Sequence, residues 1–147
     1  MSIQALSPYR CLVNEVHQRM QRLYRCALWM LERGHTDTAR ELLGVLIREF
    51  EFHHGVEERR LHPALIRMHP SRTALVARLR ADHRHLEEEL RRLVKLLDLG
   101  TEVPLVCKRA ERLHQFLVDH LSLEQQQAFL PLEVLVFMHA EAMAPWN

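Results

Sequence analysis

The stretch that decides the fold is residues 46–65, LIREFEFHHGVEERRLHPAL. Side chains three, four or seven positions apart lie on one face of a helix. Leu46, Phe50, His53 and Glu57 follow this spacing. The face that should pack into the interior therefore carries an imidazole and a carboxylate one turn apart. The stretch predicts a core helix that brings polar groups inside.

The same helical pattern extends on both sides of this stretch. Short breaks containing glycine or proline separate four long segments. We expect helices over about residues 8–33, 36–68, 72–99 and 104–142, with Pro63 and Pro131 kinking the second and the fourth. Short links between long helices force neighbouring helices to run antiparallel. The prediction is one all-α domain over residues 1–147, an antiparallel up-down-up-down four-helix bundle.

Composition and charge exclude several classes of function. The chain has 20 basic and 19 acidic residues, interspersed, for a net charge of +1. This balance predicts no nucleic-acid partner and no membrane surface. The sequence shows no secretory signal and no apolar run long enough to cross a bilayer. Cys11, Cys26 and Cys107 fit neither a disulfide framework nor a zinc site, so we expect reduced thiols in a cytoplasmic protein.

Histidine is in excess, with eleven in 147 residues. Each of the other three segments also places a histidine on its apolar stripe. His17 falls between Val13 and Met20, and His83 between Leu79 and Leu86. His120 follows Leu117, and Glu124 lies one turn later. The remaining histidines, His62 among them, look incidental.

Six polar groups on inward faces are costly for stability alone, because burying an unpaired carboxylate costs several kcal/mol. A bound cation would offset that cost. The alternative is a set of ordinary core histidines, or a network of histidine and glutamate between helices. Mixed imidazole and carboxylate ligands suit Fe, Mn or Zn. The candidate ligands are His17, His53, Glu57, His83, His120 and Glu124.

These motifs resemble those of the hemerythrin-like cation-binding domains. The run from Phe50 to Leu65 resembles their first His-x-x-x-Glu motif, and residues 120–124, before Leu130-Pro131, resemble the second. Residues 81–84, ADHR, resemble the motif of the third-helix histidine, and residues 14–17, NEVH, that of the first. The similarity spans nearly the whole chain.

The resemblance implies two non-haem iron ions, oxo- or hydroxo-bridged, held by the six candidate ligands. It also implies binding or sensing of a small diatomic ligand, O2 or NO, rather than enzymatic turnover. Because His53 and His54 are adjacent, as are Glu57 and Glu58, an alternative register uses His54 and Glu58. The family spacing to Pro63 favours His53 and Glu57.

Two further details of this resemblance concern the fourth segment and the ligand count. Pro131 lies one residue further from His120 than the family spacing, and a one-residue bulge after Glu124 would absorb the difference. The fifth histidine of the invertebrate oxygen carriers is not evident. One iron would then be more open than in those carriers.

The sequence is also compatible with other functions. An open di-iron site could act as an enzyme on peroxide or NO, or serve iron handling or repair. The bundle could instead be a metal-free interaction module, and the apolar run at residues 134–138 could make a homo-oligomer. We expect mainly apolar walls around the site. Tyr24, on the stripe of His17, could line the ligand pocket, although a hydrogen bond to a backbone carbonyl is the favoured role.

Overall fold

The computed structural model describes residues 7–128, with side chains from residue 14 onward. Every element in this range is helical, in agreement with the predicted all-α class. The end of the fourth predicted segment, with Pro131 and the apolar run at 134–138, lies outside the described residues. The elements are α1 (Ser7–Glu32), α2 (Thr36–Val56), a π-helical turn (Glu57–Leu61), α3 (His62–Met68), a 3-10 turn (Pro70–Arg72), α4 (Thr73–Asp98) and α5 (Val103–Gln127).

Glycines end α1 and α4, as the sequence predicted. Gly34 has φ +76 and Gly100 has φ +68, a backbone region that favours glycine. After α1, the Gly34 N–H donates to the carbonyl of Leu31 and the His35 N–H donates to that of Met30. Equivalent bonds follow α4. Both pairs form Schellman motifs, which satisfy the last helical carbonyls and stop each helix sharply.

The long helices pack as a four-helix bundle. Helix α1 contacts α2 and α5, and α4 contacts the same two helices. Leucines, aromatic residues and other apolar side chains fill the interior in two groups. The first apolar cluster includes Met20, Tyr24, Phe50, Leu86, Leu90, Leu117 and Leu121. The second apolar cluster consists of Leu61, Leu65, Val76, Leu79 and Ala128.

The buried polar residues lie between these two clusters along the helices. On α4, His83 falls between Leu79 of the second cluster and Leu86 of the first. On α5, Glu124 falls between Leu121 and Ala128 in the same way. The fold therefore places a polar layer between two apolar ones. None of the described helices has the length and apolar character needed to span a membrane.

A π-helical turn interrupts the second predicted segment just before Pro63. The His62 N–H donates to the carbonyl of Glu57, five residues earlier, so one extra residue is accommodated. Proline has no N–H and clashes with the carbonyl four residues before it, which makes the regular ladder unfavourable here. The bulge expected after Glu124 is absent as far as Gln127, where α5 is still regular.

Alanine substitutions at two glycines should change the free energy of unfolding in opposite directions. Alanine at Gly34 must adopt a positive φ, so Gly34→Ala should lower the free energy of unfolding by about 1 kcal/mol. Gly44 lies inside α2, and an added Cβ would meet only the Arg48 side chain at 3.9 Å. Gly44→Ala should therefore raise the free energy of unfolding by roughly 0.5–1 kcal/mol. Chemical denaturation measures both changes in the free energy of unfolding. Changes of the same sign would contradict the positive φ assigned to Gly34 and the helix-interior position assigned to Gly44.

Candidate metal centre

The structure brings the six predicted site residues together in the polar layer. Helix α1 supplies His17, α2 supplies His53, and the π-helical turn begins at Glu57. His83 comes from α4, while His120 and Glu124 lie one turn apart on α5. Five of the six are buried, and the His53 side chain is 11% exposed.

One group of donor atoms forms around His17 and His53, which we call the two-histidine side. One ligand atom from each of these residues, and from Glu57 and Glu124, lies within 4.8 Å of all the others. The Nε2 atoms of His17 and His53 are 3.0 Å apart, and the Glu57 carboxylate is in close contact with His53. Such a spacing of nitrogen and oxygen atoms suits one enclosed cation.

A second group, the three-histidine side, consists of His54, His83 and His120. Their ligand nitrogens also lie within 4.8 Å of one another. The ring of His54 stacks on that of His83, with centroids 3.7 Å apart and planes at 4°. Phe50 packs against His54 from the first apolar cluster, with ring centroids 4.9 Å apart.

His53 and His54 are therefore not alternatives. Successive helical residues point about 100° apart, and these two imidazoles belong to different groups of donor atoms. Glu58, the other member of the alternative register, joins neither group; its carboxylate contacts the outer nitrogen of His83. The adjacent histidines were the sequence signal for a second donor group on α2, but helical spacing alone led us to treat the two residues as alternatives.

The two buried carboxylates lie between the two sides. Glu57 directs Oε1 toward His17, at 3.8 Å, and Oε2 toward the Nε2 atom of His83, at 3.2 Å. Glu124 places Oε1 3.7 Å from His17 Nε2 and Oε2 3.7 Å from His83 Nε2. Oε1 of Glu124 is also 3.4 Å from His120 Nε2. Each carboxylate thus lies between the two groups of imidazole nitrogens.

A further carboxylate stands behind each imidazole of the three-histidine side. In every case it contacts Nδ1, the nitrogen that points away from the other ligands. The pairs are His54 with Glu87 at 3.0 Å, His83 with Glu58 at 3.0 Å, and His120 with Asp82 at 3.3 Å. When Nδ1–H donates to the carboxylate, Nε2 presents its lone pair inward. This arrangement is characteristic of metal-binding histidines.

Seven inner atoms of the centre lack hydrogen bonds of acceptable geometry within the described part of the chain. This holds for Nε2 of His54, His83 and His120, and for all four carboxylate oxygens of Glu57 and Glu124. Buried polar atoms are normally hydrogen-bonded. A bound cation would satisfy these nitrogens and oxygens together.

The charges of the centre are strongly coupled. Burial acts to raise the pKa of Glu57, but the surrounding imidazoles of His17, His53 and His83 hold it well below its usual range. Burial acts to lower the pKa of His83, but the two carboxylates raise it to about 10. The buried carboxylates and the imidazoles around them therefore stabilise each other's charge. Because imidazoles bind a metal in their neutral form, cation binding at this centre should release protons.

His62 is a buried residue that the sequence analysis set aside. Its ring lies 5.6 Å from that of His83, nearly parallel, and its Nδ1 accepts a hydrogen bond from the Arg80 Nε–H at 3.4 Å. Burial lowers its pKa to about 4. His62 belongs to neither group of ligand atoms. The π-helical turn before it shifts the helical register, so regular spacing from Glu57 could not place it.

Tyr24 has a structural partner. Its hydroxyl donates to the carbonyl of Ala110 at 2.6 Å, the role that the sequence analysis favoured over a ligand-pocket role. Burial, aided by the charge of Glu89, raises the pKa of its phenol. The hydroxyl therefore links α1 to α5 inside the first apolar cluster.

Comparison with known families agrees with the geometry. The chain matches the hemerythrin HHE cation binding domain over residues 12–131. It belongs to this family. No curated protein and no solved structure gives a significant match. The HHE domain is a cation-binding family, and the cluster of histidine and glutamate side chains is where this chain can bind the cation.

The carboxylates of Glu58, Asp82 and Glu87, which we call the outer carboxylates, should affect cation affinity although they do not face the centre. Asp82→Asn removes the negative charge beside Nδ1 of His120, and Glu87→Gln removes the one beside Nδ1 of His54. Either change weakens the preference for the tautomer that carries its proton on Nδ1. We expect either change to lower the affinity for Co2+ about 10- to 100-fold. Isothermal titration measures this. The control is Glu88→Gln, a substitution at an exposed position of the same helix, which should leave the Co2+ affinity unchanged. Equal Co2+ affinity in all three variants would refute the role of Asp82 and Glu87 in orienting the imidazoles.

Tyr24→Phe separates packing from ligand binding. Loss of the hydrogen bond to Ala110 should lower the free energy of unfolding by about 1 kcal/mol. Cation affinity and stoichiometry should stay at the wild-type values because the hydroxyl is committed to the backbone. A loss of cation binding in a folded Tyr24→Phe protein would show that the hydroxyl serves the centre instead.

Proposed function

We propose that this HHE domain is a non-haem di-iron protein that binds or senses a small diatomic molecule, O2 or NO. The observation that carries the proposal is the pair of carboxylates, Glu57 and Glu124, each lying between two separate groups of imidazole nitrogens. Bundle cores that bind two iron ions share carboxylates from facing helices in this way.

The proposed ligands are the six that the sequence analysis selected, with His54 added. His17 and His53 would hold one ion, and His54, His83 and His120 the other. Glu57 and Glu124 would be shared. In the described residues, neither Cys26 nor Cys107 belongs to a ligand group, and a thiolate-free set of nitrogen and oxygen donors suits iron.

Two bound iron ions would supply exchangeable coordination positions and reducing electrons for holding a small molecule. The chain's own residues do the rest. The first and second apolar clusters exclude water from the two ends of the polar layer along the bundle axis. Glu58, Asp82 and Glu87 orient the imidazoles of the three-histidine side. Five imidazoles and two carboxylates would leave open coordination positions on two iron ions, with more of them on the two-histidine side.

We also propose the antiparallel up-down-up-down order. Along α1 and α2, His17 contacts His53 while Arg19 pairs with Glu49, so residue numbers run in opposite directions. The short links between the long helices favour the same order.

A cytoplasmic location is a further proposal. Its support is that Cys26 and Cys107 are free thiols, which are typical of reducing compartments.

The direct test is metal analysis of protein purified from iron-replete cells. We expect roughly two iron ions per chain and a visible absorption that changes reversibly on exposure to O2 or NO. Fewer than about one iron per chain, with no spectral response to either gas, would refute the proposal.

Glu124→Gln tests the shared carboxylate. Because a ligand that binds only the folded state adds about 2.7 kcal/mol at one hundred times its Kd, Fe2+ should raise the melting temperature of the wild type. The variant should lose most of this rise. Glu111→Gln, an exposed change on the same helix, should keep it. A full Fe2+-dependent rise in folded Glu124→Gln would mean that this carboxylate is not a ligand.

A further inference from the structure

A groove with a volume of about 640 Å³ lies between α4 and α5. This volume is typical of sites that bind small organic molecules. On α5 the lining extends from Leu105 to Phe116, a stretch roughly 16 Å long at the helical rise of about 1.5 Å per residue. On α4 it includes Glu89 and Leu96. None of the lining residues belongs to either group of donor atoms, so this groove, which we call the α4–α5 groove, is separate from the candidate metal centre.

Apolar side chains make up one part of the lining. Leu113 is buried, and Leu96 and Phe116 are partly buried side chains that pack against the first apolar cluster. Leu105 is 59% exposed. The apolar interior of the bundle therefore continues into the groove as a hydrocarbon surface. A ligand that covers this surface removes it from water, which favours binding.

The charged part of the lining is mainly basic. Its one carboxylate, Glu89, lies 2.8 Å from the guanidinium of Arg109 and 2.9 Å from that of Arg92, so its charge is balanced. Lys108 and Arg112 lie one turn apart on α5 and are exposed. Within residues 14–128, neither forms an ion pair. The groove therefore combines two unpaired positive charges with an apolar surface.

These two features together define the ligand class. A neutral hydrocarbon would cover the apolar side chains and leave both cations without a partner. A small inorganic anion would pair with the cations and leave the hydrocarbon surface in water. An elongated molecule with an aliphatic chain and one carboxylate matches both, and its length suits a groove that follows two neighbouring helices.

We propose that the α4–α5 groove binds a free monocarboxylate with an aliphatic chain, such as a medium-chain fatty acid. The chain packs against Leu96, Leu113 and Phe116, and the carboxylate pairs with Lys108 and Arg112. This site is a second one, independent of the metal centre, and the inference does not rest on the proposed function.

Octanoate is the probe, titrated calorimetrically into the full chain. We expect saturable binding of octanoate. Octan-1-ol has the same chain without the charge and should bind about fivefold more weakly or worse, because the ion pairs are lost. Acetate has the charge without the long chain and should not bind measurably at the groove, because little hydrocarbon is removed from water.

The positive charges are tested with the double variant Lys108→Gln and Arg112→Gln. It should weaken octanoate binding about fivefold or more and leave octan-1-ol binding unchanged. The matched control is the double variant Arg22→Gln and Arg78→Gln. It removes the same charge from exposed positions outside the groove and should keep the wild-type affinity for both ligands.

The apolar contact is tested with Leu105→Gln. Leu105 is largely exposed, so the substitution should not affect folding. It should weaken octanoate and octan-1-ol alike, about threefold or more, because both ligands lose the same hydrocarbon contact. Unchanged affinity for both ligands would contradict the role of the groove.

Several outcomes overturn the inference. These are no octanoate binding, or equal octanoate affinity in the two double variants. Binding of anionic phospholipid vesicles without binding of free octanoate overturns it too, because the basic residues would then recognise a membrane surface. Octanoate should bind equally well with and without iron, and binding that requires iron would place the carboxylate at the metal centre instead. Failure to bind iron, with octanoate binding intact, overturns the proposed function alone.

Discussion

Two buried carboxylates, Glu57 and Glu124, lie between two groups of imidazoles, and their negative charge must be balanced inside the bundle. Both are nearly inaccessible to solvent, and none of their oxygens has a good hydrogen bond within the described residues. Burial opposes ionisation, yet the surrounding histidines keep the pKa of each carboxylate below its usual value. Bound cations would balance this charge and satisfy the carboxylate oxygens and the inward nitrogens together.

The rest of the fold serves this layer. The first and second apolar clusters lie on either side of it, so hydrophobic packing can support a polar interior that would not be stable by itself. Each of the four helical segments contributes at least one candidate ligand, so the centre joins all of them. Outer carboxylates behind the three-histidine side orient its rings. The side chains of His17 and His53 are more exposed than those of the three-histidine side, so the two-histidine side lies nearer to solvent.

Local spacing predicted the helices and the six inward residues well. The helices and their ends depend on local features, namely the apolar stripes and the glycines at positions 34 and 100. Such features can be recognised in the sequence without knowing which helices pack together. His54 and the outer acids depend on contacts between helices. Asp82, for example, gains its role only because α5 brings His120 beside it. The π-helical turn changes the register by one residue, and His62 follows it, so regular periodicity could not place that side chain.

The central claim is tested most directly by anomalous X-ray diffraction from crystals of the iron-loaded protein, with data collected at the iron absorption edge. The account predicts two anomalous peaks roughly 3.5–4 Å apart, one beside His17 and His53 and the other beside His54, His83 and His120. The carboxylates of Glu57 and Glu124 should lie between the peaks. A single peak outside this layer, or iron bound only at surface histidines, would contradict it.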